Sequence, residues 1–223
     1  LHGVELQTPI RTETGFTGLA SHGATIGAII GIYLYSKKQN LKMLWVLDRA
    51  VVATALGLFC IRLGNFFNSE INGKEVEESF VFATRFVREG IGKGQAMSIT
   101  KEKTVNAAYD ALVSKPEFAQ YINDIPFKHP AQLYEGVLYI LMFLILYYLY
   151  WKTNKKNQPG FLFGVFMVLL WGIRFVIEFV KETQNDLDQS ILTDTGLTIG
   201  QLLSIPFVLI GLYYMFRPVK SKQ

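Results

Sequence analysis

Between residues 61 and 73 the chain reads IRLGNFFNSEING, an arginine, amides, a carboxylate and glycines directly after an apolar run from Trp45 to Ile61. A guanidinium at the end of such a run offers two parallel N–H donors to a phosphodiester, a fit that the point charge of a lysine cannot match. Arg62 alone could equally be an interfacial arginine that snorkels to ordinary headgroups. Asn65, Asn68 and Glu70 shift the reading toward phosphate recognition, because membrane anchoring needs no such cluster of amides and carboxylate. Gly64 and Gly73 would let the backbone approach a ligand closely, or simply serve a turn.

A second set of polar residues interrupts apolar sequence further on. WGIRFVIEF places Arg174 and Glu178 four residues apart, on one helical face. An ionised residue near the centre of a membrane helix costs about 2.5–3.5 kcal/mol, so the two are expected to face each other, a partner or water. A structural pair locking a helix bundle is the alternative. His22, in SHGATIG, has an ordinary pKa suited to taking a proton near neutrality; the alternative is a packed or interfacial histidine. His129 precedes Pro130, a helix starter, and is followed by Gln132, Tyr134 and Glu135, with Gln132 and Glu135 sharing a face. That group reads either as catalytic or as the start of a helix making a polar contact. Gln201 and Ser204 stand three apart in TIGQLLSIP, before a Pro206 expected to kink its helix, and suit interhelical hydrogen bonding.

The same sequence excludes several chemistries. The three histidines are far apart and show no metal-ligand spacing, so no metal is expected. Ser21 and Ser204 lack a nucleophile elbow. Cys60 is the only cysteine and can form no internal disulfide. The GIGKG run lacks the spacing of a phosphate loop and reads as a turn. The net charge of +4 lies largely in short basic loops, which suits anionic lipid rather than nucleic acid.

The elements that must position these side chains are blocks of apolar sequence. Half of the 223 residues are apolar, and they concentrate at Gly18 to Tyr35, Trp45 to Ile61, Leu133 to Trp151, Phe161 to Val180 and Leu197 to Phe216. Each is near the length that crosses about 30 Å of hydrocarbon. The expected fold is an all-α polytopic membrane protein with five transmembrane helices, packed through small residues such as Gly23, Gly27 and Gly31. A soluble bundle of very apolar helices is the rival. Lys37, Lys38 and Lys42, then Lys152, Lys155 and Lys156, then Arg217, Lys220 and Lys222 mark every second connection as cytoplasmic. The acidic loop 181–196, with Glu182, Asp186, Asp188 and Asp194, and residues 62–132 therefore lie outside, as does the segment before the first span. A chain that opens on Leu1 with an outer segment suggests upstream residues holding at least one more span. Residues 1–223 read as one membrane domain, with an insertion at 74–128 forming a small extracytoplasmic cap. Within it SFVFATRFV alternates like a strand, TVNAAYDALV reads as a short helix and KPEFAQYINDIPF as a second helix or loop.

All these polar residues then map to the outer half of the membrane, which suits an enzyme working at an interface. A transporter or channel would need polar groups at successive depths, yet the inner halves carry little charge beyond Asp48 and Arg49. No internal repeat supports an inverted-repeat transporter. A phospholipid headgroup hydrolase would use the same phosphate-binding groups.

In combination the motifs resemble the bacterial prolipoprotein diacylglyceryl transferase family. RLGNFFNSEING at 62–73 is similar to the family signature, and HPAQLYE at 129–135, RFVIEF at 174–179, GQLLSIP at 200–206 and SHG at 21–23 resemble further family segments in the same order. Ala24 stands where a second glycine is usual, and Lys181 where arginine is common. The resemblance implies a seven-span protein truncated at its N-terminus and set in the bacterial inner membrane, its active site facing the extracytoplasmic side. It implies transfer of the diacylglyceryl group of phosphatidylglycerol to the lipobox cysteine of a prolipoprotein, recognised with its signal peptide, without a cofactor. By the same resemblance Arg62 and Arg174 hold the phosphate, Glu178 orients Arg174, and His22 is the base for the thiol with His129 as substitute. Asn65, Asn68 and Glu70 position headgroup hydroxyls or the loop itself, and Gly73, His129, Gln132, Tyr134, Glu135 and Gln201 join the substrate-binding set.

Overall fold

A computed structural model describes residues 17–182, 193 and 195–218, with side chains from residue 27 onward. It is mostly helical, and it divides after Val46 into two units. The first unit holds α1, Thr17–Lys38, whose apolar side chains Ile29, Ile30, Tyr33 and Leu34 are exposed. The helix closes where Leu41 donates from its backbone to the Ser36 carbonyl (2.8 Å) and Asn40 takes a left-handed φ of 52°. The expected outer segment at residues 1–16 lies outside the described residues, as does most of the acidic loop 181–196.

The second unit begins within α2, Met43–Asn68, and contains every other element. Its long helices are α2, α7 (Ala131–Lys152), α8 (Phe161–Ile177) and α9 (Ile199–Phe216). Among the described residues α2, α7 and α9 are long and apolar enough to cross a bilayer, and α8 is a shorter apolar helix. This is the architecture of a helical membrane protein. Val51 and Ala55 of α2, Tyr139, Met142 and Leu146 of α7, and Leu162, Val165 and Phe166 of α8 form its core. Antiparallel α8 and α9 cross at Gly164 and Gly211, where a Cβ on Gly164 would come within 2.7 Å of the Gly211 carbonyl oxygen. Trp171 stacks on Phe207 further along, at 4.2 Å between ring centres. The helix α9 continues through Pro206.

The apolar block expected to run to Val180 stops being helical at Ile177. Phe179 and Val180 close on Val176 and Ile177 in tight turns, which frees the Val180 carbonyl to accept from the Lys74 backbone (2.9 Å). Between α2 and α7 lie four short helices, α3 (Val87–Gly90), α4 (Lys93–Thr100), α5 (Val105–Ser114) and α6 (Ala119–Asn123), and a two-stranded antiparallel ribbon. The ribbon pairs β1, Thr84–Arg85, with β2, Phe127–Lys128. The short helix expected at TVNAAYDALV is α5, capped by Thr104. The SFVFATRFV strand is shorter than its alternation suggests, because Phe80 and Ala83 close tight turns on Glu77 and Phe80 and leave only Thr84 and Arg85 to pair. Ile91, Ala96, Ala108, Tyr109, Leu112 and Ile125 give this region a core of its own, and the Tyr109 hydroxyl donates to the Ile91 carbonyl (2.8 Å). Burial pushes that phenol above its ordinary pKa.

Candidate functional site

The NSEING segment positions the site because it ends one helix and ties two others together. α2 stops at Asn68, Ser69 turns left-handed (φ 57°), and the Glu70 backbone donates to the Asn65 carbonyl (2.9 Å). Ile71 is also left-handed (φ 59°), an uncommon conformation for a β-branched residue and one that costs on the order of 1–3 kcal/mol. The chain then passes between two others. The Gly73 backbone donates to the His129 carbonyl (2.9 Å), His129 donates back to Lys74 (3.0 Å), and Gly73 pairs as a bridge with Lys181. A Cβ on Gly73 would sit 2.6 Å from that of His129 and 2.7 Å from the Val180 carbonyl oxygen. The glycine is thus required by the approach of the protein's own strands.

That seam brings charged groups from three segments onto one carboxylate. Glu135, in the second turn of α7, has a side chain only 1% exposed. Its Oε2 lies 2.5 Å from Arg62 Nε, and its Oε1 accepts from Lys181 Nζ at 3.0 Å. Arg62 and Lys181 are 15% and 12% exposed. With its amide turned to suit its neighbours, Asn65 accepts from Arg62 Nη1 (3.0 Å) and donates to the Ile61 carbonyl. Tyr139, one turn beyond Glu135 on the same helix, is buried as well.

Beside this cluster runs a hydrogen-bonded chain of buried amides. Gln132 donates through Nε2 to the Glu70 carbonyl (2.7 Å) and to Asn72 Oδ1, while Asn72 donates to the Ser69 carbonyl (3.1 Å) and to Glu89 Oε2 (2.7 Å). Lys128 donates to Glu89 (3.1 Å) and Glu182 (2.8 Å). Burial works against the Lys128 ammonium, but the hydrogen bonds and charges of Glu182 and Glu89 outweigh it and raise its pKa.

The remaining expected residues fall around this centre or away from it. His129 Nδ1 lies 3.2 Å from the Tyr134 hydroxyl. Glu70 and Asn68 have exposed side chains, and Glu70 contributes its backbone carbonyl. Among the described residues Arg174 and Glu178 form no ion pair: they share a helical turn, the Glu178 N–H donating to the Arg174 carbonyl (3.1 Å), but Arg174 lies over the Trp171 ring (5.7 Å) and the Glu178 carboxylate rests against Gly200. A carboxylate in the first turn of α9 suits the positive end of that helix. Gln201 completes the α9 capping box with Thr198 and donates to the Phe175 carbonyl (3.3 Å), an interhelical bond. The His22 side chain lies outside the described ones. Sequence reasoning missed Asn72, Glu89, Lys128 and Tyr139, and noted Lys181 only as a departure. Tyr139 carried a usable signal, since Gln132, Glu135 and Tyr139 recur at helical spacing on one face; Glu89 and Lys128 carried none.

Fold and site together define a helical membrane protein with a buried cluster of guanidinium, ammonium and carboxylate at one end of its helices. The chain belongs to the prolipoprotein diacylglyceryl transferase family, whose model matches residues 7–217. It is 37% identical over 210 residues to the phosphatidylglycerol–prolipoprotein diacylglyceryl transferase of Bacteroides fragilis, an alignment covering 94% of this chain and 61% of that protein. The similarly named protein of Porphyromonas gingivalis is 37% identical over 206 residues (92% of this chain, 63% of that one). That of Tolumonas auensis is 35% identical over 206 residues (92% and 64%). The chain thus spans about three-fifths of the length of these curated relatives.

Proposed function

We propose that the full-length protein transfers the diacylglyceryl group of phosphatidylglycerol to the lipobox cysteine of a prolipoprotein in the bacterial inner membrane. The observation that carries this reading is the meeting of Arg62 and Lys181, from separate segments, on the buried Glu135 carboxylate, which gathers cationic donors at one end of the helices. In this reading five helices of the chain cross the bilayer, residues 74–128 form an extracytoplasmic cap within a single membrane domain, and the site opens to that side.

The chemistry is displacement at carbon. The cysteine thiol loses its proton to a base, and the thiolate sulfur attacks the glyceryl methylene that carries the phosphate ester. The carbon–oxygen bond breaks with its electron pair going to oxygen, which forms a thioether and releases glycerol phosphate. Guanidinium groups stabilise the negative charge that collects on the leaving phosphate, so no metal or organic cofactor enters the scheme. Glu135 fixes the Nε edge of Arg62 and leaves its outer nitrogens for the phosphate. Asn65 steadies that fork, and Asn68, Glu70 and Gly73 shape the adjoining loop. Gln132 and Gln201 hold helix ends in place. His22 is the first choice of base and His129, beside Tyr134, the second.

The test supplies full-length protein with labelled phosphatidylglycerol and a lipobox peptide. Thioether product supports transfer, whereas phospholipid cleavage independent of the peptide cysteine makes the protein a headgroup hydrolase. His22→Gln should lower the rate strongly, with partial recovery at alkaline pH as more thiol ionises unaided. If His129→Gln behaves that way instead, the two histidines exchange roles.

A further inference from the structure

The loop that precedes β1 carries a tip of apolar side chains with no protein covering among the described residues. Val81 is 86% exposed and Phe82 59%. The tip is nonetheless well held. Backbone bonds from Phe80 to the Glu77 carbonyl (3.0 Å) and from Ala83 to the Phe80 carbonyl (2.9 Å) form two successive turns, and the Thr84 hydroxyl donates to the Phe82 carbonyl (3.1 Å). The Phe80 ring meets Phe82 and His129 edge-on, at 6.0 and 4.8 Å between centres, and Phe82 meets Tyr134 at 6.2 Å.

Those contacts fix the height of the loop. Tyr134 stands in the first turn of α7, a helix long and apolar enough to cross the bilayer, so a side chain packed on Tyr134 lies where hydrocarbon gives way to headgroups. Aromatic residues with polar tips collect at that depth, and the cluster of Phe80, Phe82, His129 and Tyr134 has that composition. Glu77 and Glu78 come just before the tip, so the loop turns from charged to apolar over three residues.

We propose that Phe80, Val81 and Phe82 are seated in the outer leaflet, their partner being the glycerol and upper acyl region of the lipid. Seated there, the loop anchors residues 84–128 against the membrane beside the start of α7. The inference rests on α7 being a membrane helix and does not depend on the transferase reading.

The test uses the full-length protein reconstituted in vesicles of phosphatidylethanolamine and phosphatidylglycerol. In a Cys60→Ser background, Val81→Cys is coupled to an environment-sensitive fluorophore, and Leu144→Cys, an exposed position midway along α7, serves as reference. The label at 81 should emit blue-shifted, lose most of its intensity to a lipid nitroxide carried just below the headgroup, and lose little to one at the chain end or to aqueous iodide. The label at 144 should show the opposite depth preference. Iodide quenching at 81 with lipid quenching at 144 overturns the proposal while leaving α7 in the membrane; iodide quenching at both removes α7 as well. A label at 81 that is wet until a lipobox peptide is added overturns it too, and makes the loop a peptide-docking surface.

Discussion

Two carboxylates are buried equally deeply in the second unit and are neutralised in opposite ways. Asp48, near the start of α2, accepts from the backbone N–H groups of Gly160 (2.6 Å) and Phe163 (2.9 Å), so it caps α8 from a residue 112 positions away. Gly160 at φ 90° makes the turn that presents those amides. Glu135 instead faces the ends of two long cationic side chains, Arg62 and Lys181. Asp48 and Arg62 lie on the same helix, about 21 Å apart by its rise. Backbone amides are fixed dipoles that can do little except hold a helix start in place. Guanidinium and ammonium groups retain spare donors and can turn toward an incoming anion without unravelling any element. Burial of a charge thus says little about function, and what surrounds the charge says more.

Four substitutions should separate the two ends of the molecule. The largest effect is expected for Arg62→Ala, which should reduce transfer by at least about 10²–10³-fold, the scale of losing one preorganised charge-stabilising donor, while the protein still inserts. Product formation by full-length protein in vesicles measures it, and near-normal turnover would remove Arg62 from phosphate binding. Glu135→Gln leaves two cations facing a neutral amide; breaking a buried ion pair costs about 3–5 kcal/mol, so both thermal stability in detergent and turnover should fall. Asp48→Asn should cost about 1 kcal/mol, as loss of a charged helix cap does, with turnover unchanged in the protein that remains folded. A large activity loss there would break the contrast between the two ends. The smallest effect concerns Lys128, whose pKa is raised in the folded protein by Glu182 and Glu89. Its contribution is complete below the ordinary lysine pKa and is lost as pH rises through the higher folded value. Alkaline melting curves of wild type and Lys128→Met should therefore converge only beyond the usual lysine range.

The sequence carried the helices far better than it carried the contacts between them. Every apolar block contains a helix, because an uninterrupted apolar run of that length has few other ways to satisfy its backbone in lipid. Where α8 ends was not legible, since Phe179 and Val180 remain apolar and the turn exists to pair Val180 and Lys181 with Lys74 and Gly73, a long-range event. Arg62, Gln132 and Glu135 stood out as polar groups beside apolar runs, yet nothing in their spacing says that Arg62 meets Glu135. That meeting depends on how α2 and α7 are rotated against each other, which Gly136 helps to set by packing on Phe59 and on Arg62 Cβ. The Arg174–Glu178 pair suggested by spacing does not form although one helical turn joins the two, because Arg174 lies over Trp171 and the Glu178 carboxylate turns to Gly200, contacts that spacing along one helix does not show. Asp48 was read only as a charge near the start of a span, because its partners are backbone groups that leave no mark in composition.

The early end of α8 has a mechanical consequence. Its 17 residues reach about 25 Å, against about 30 Å of hydrocarbon in an ordinary bilayer. Taken as a span, so short a rod makes the lipid pinch inward locally or draws Glu178 and Lys181 beneath the headgroup plane. Either way a phospholipid beside it need not be lifted out of its leaflet for its ester linkage to come level with charged side chains.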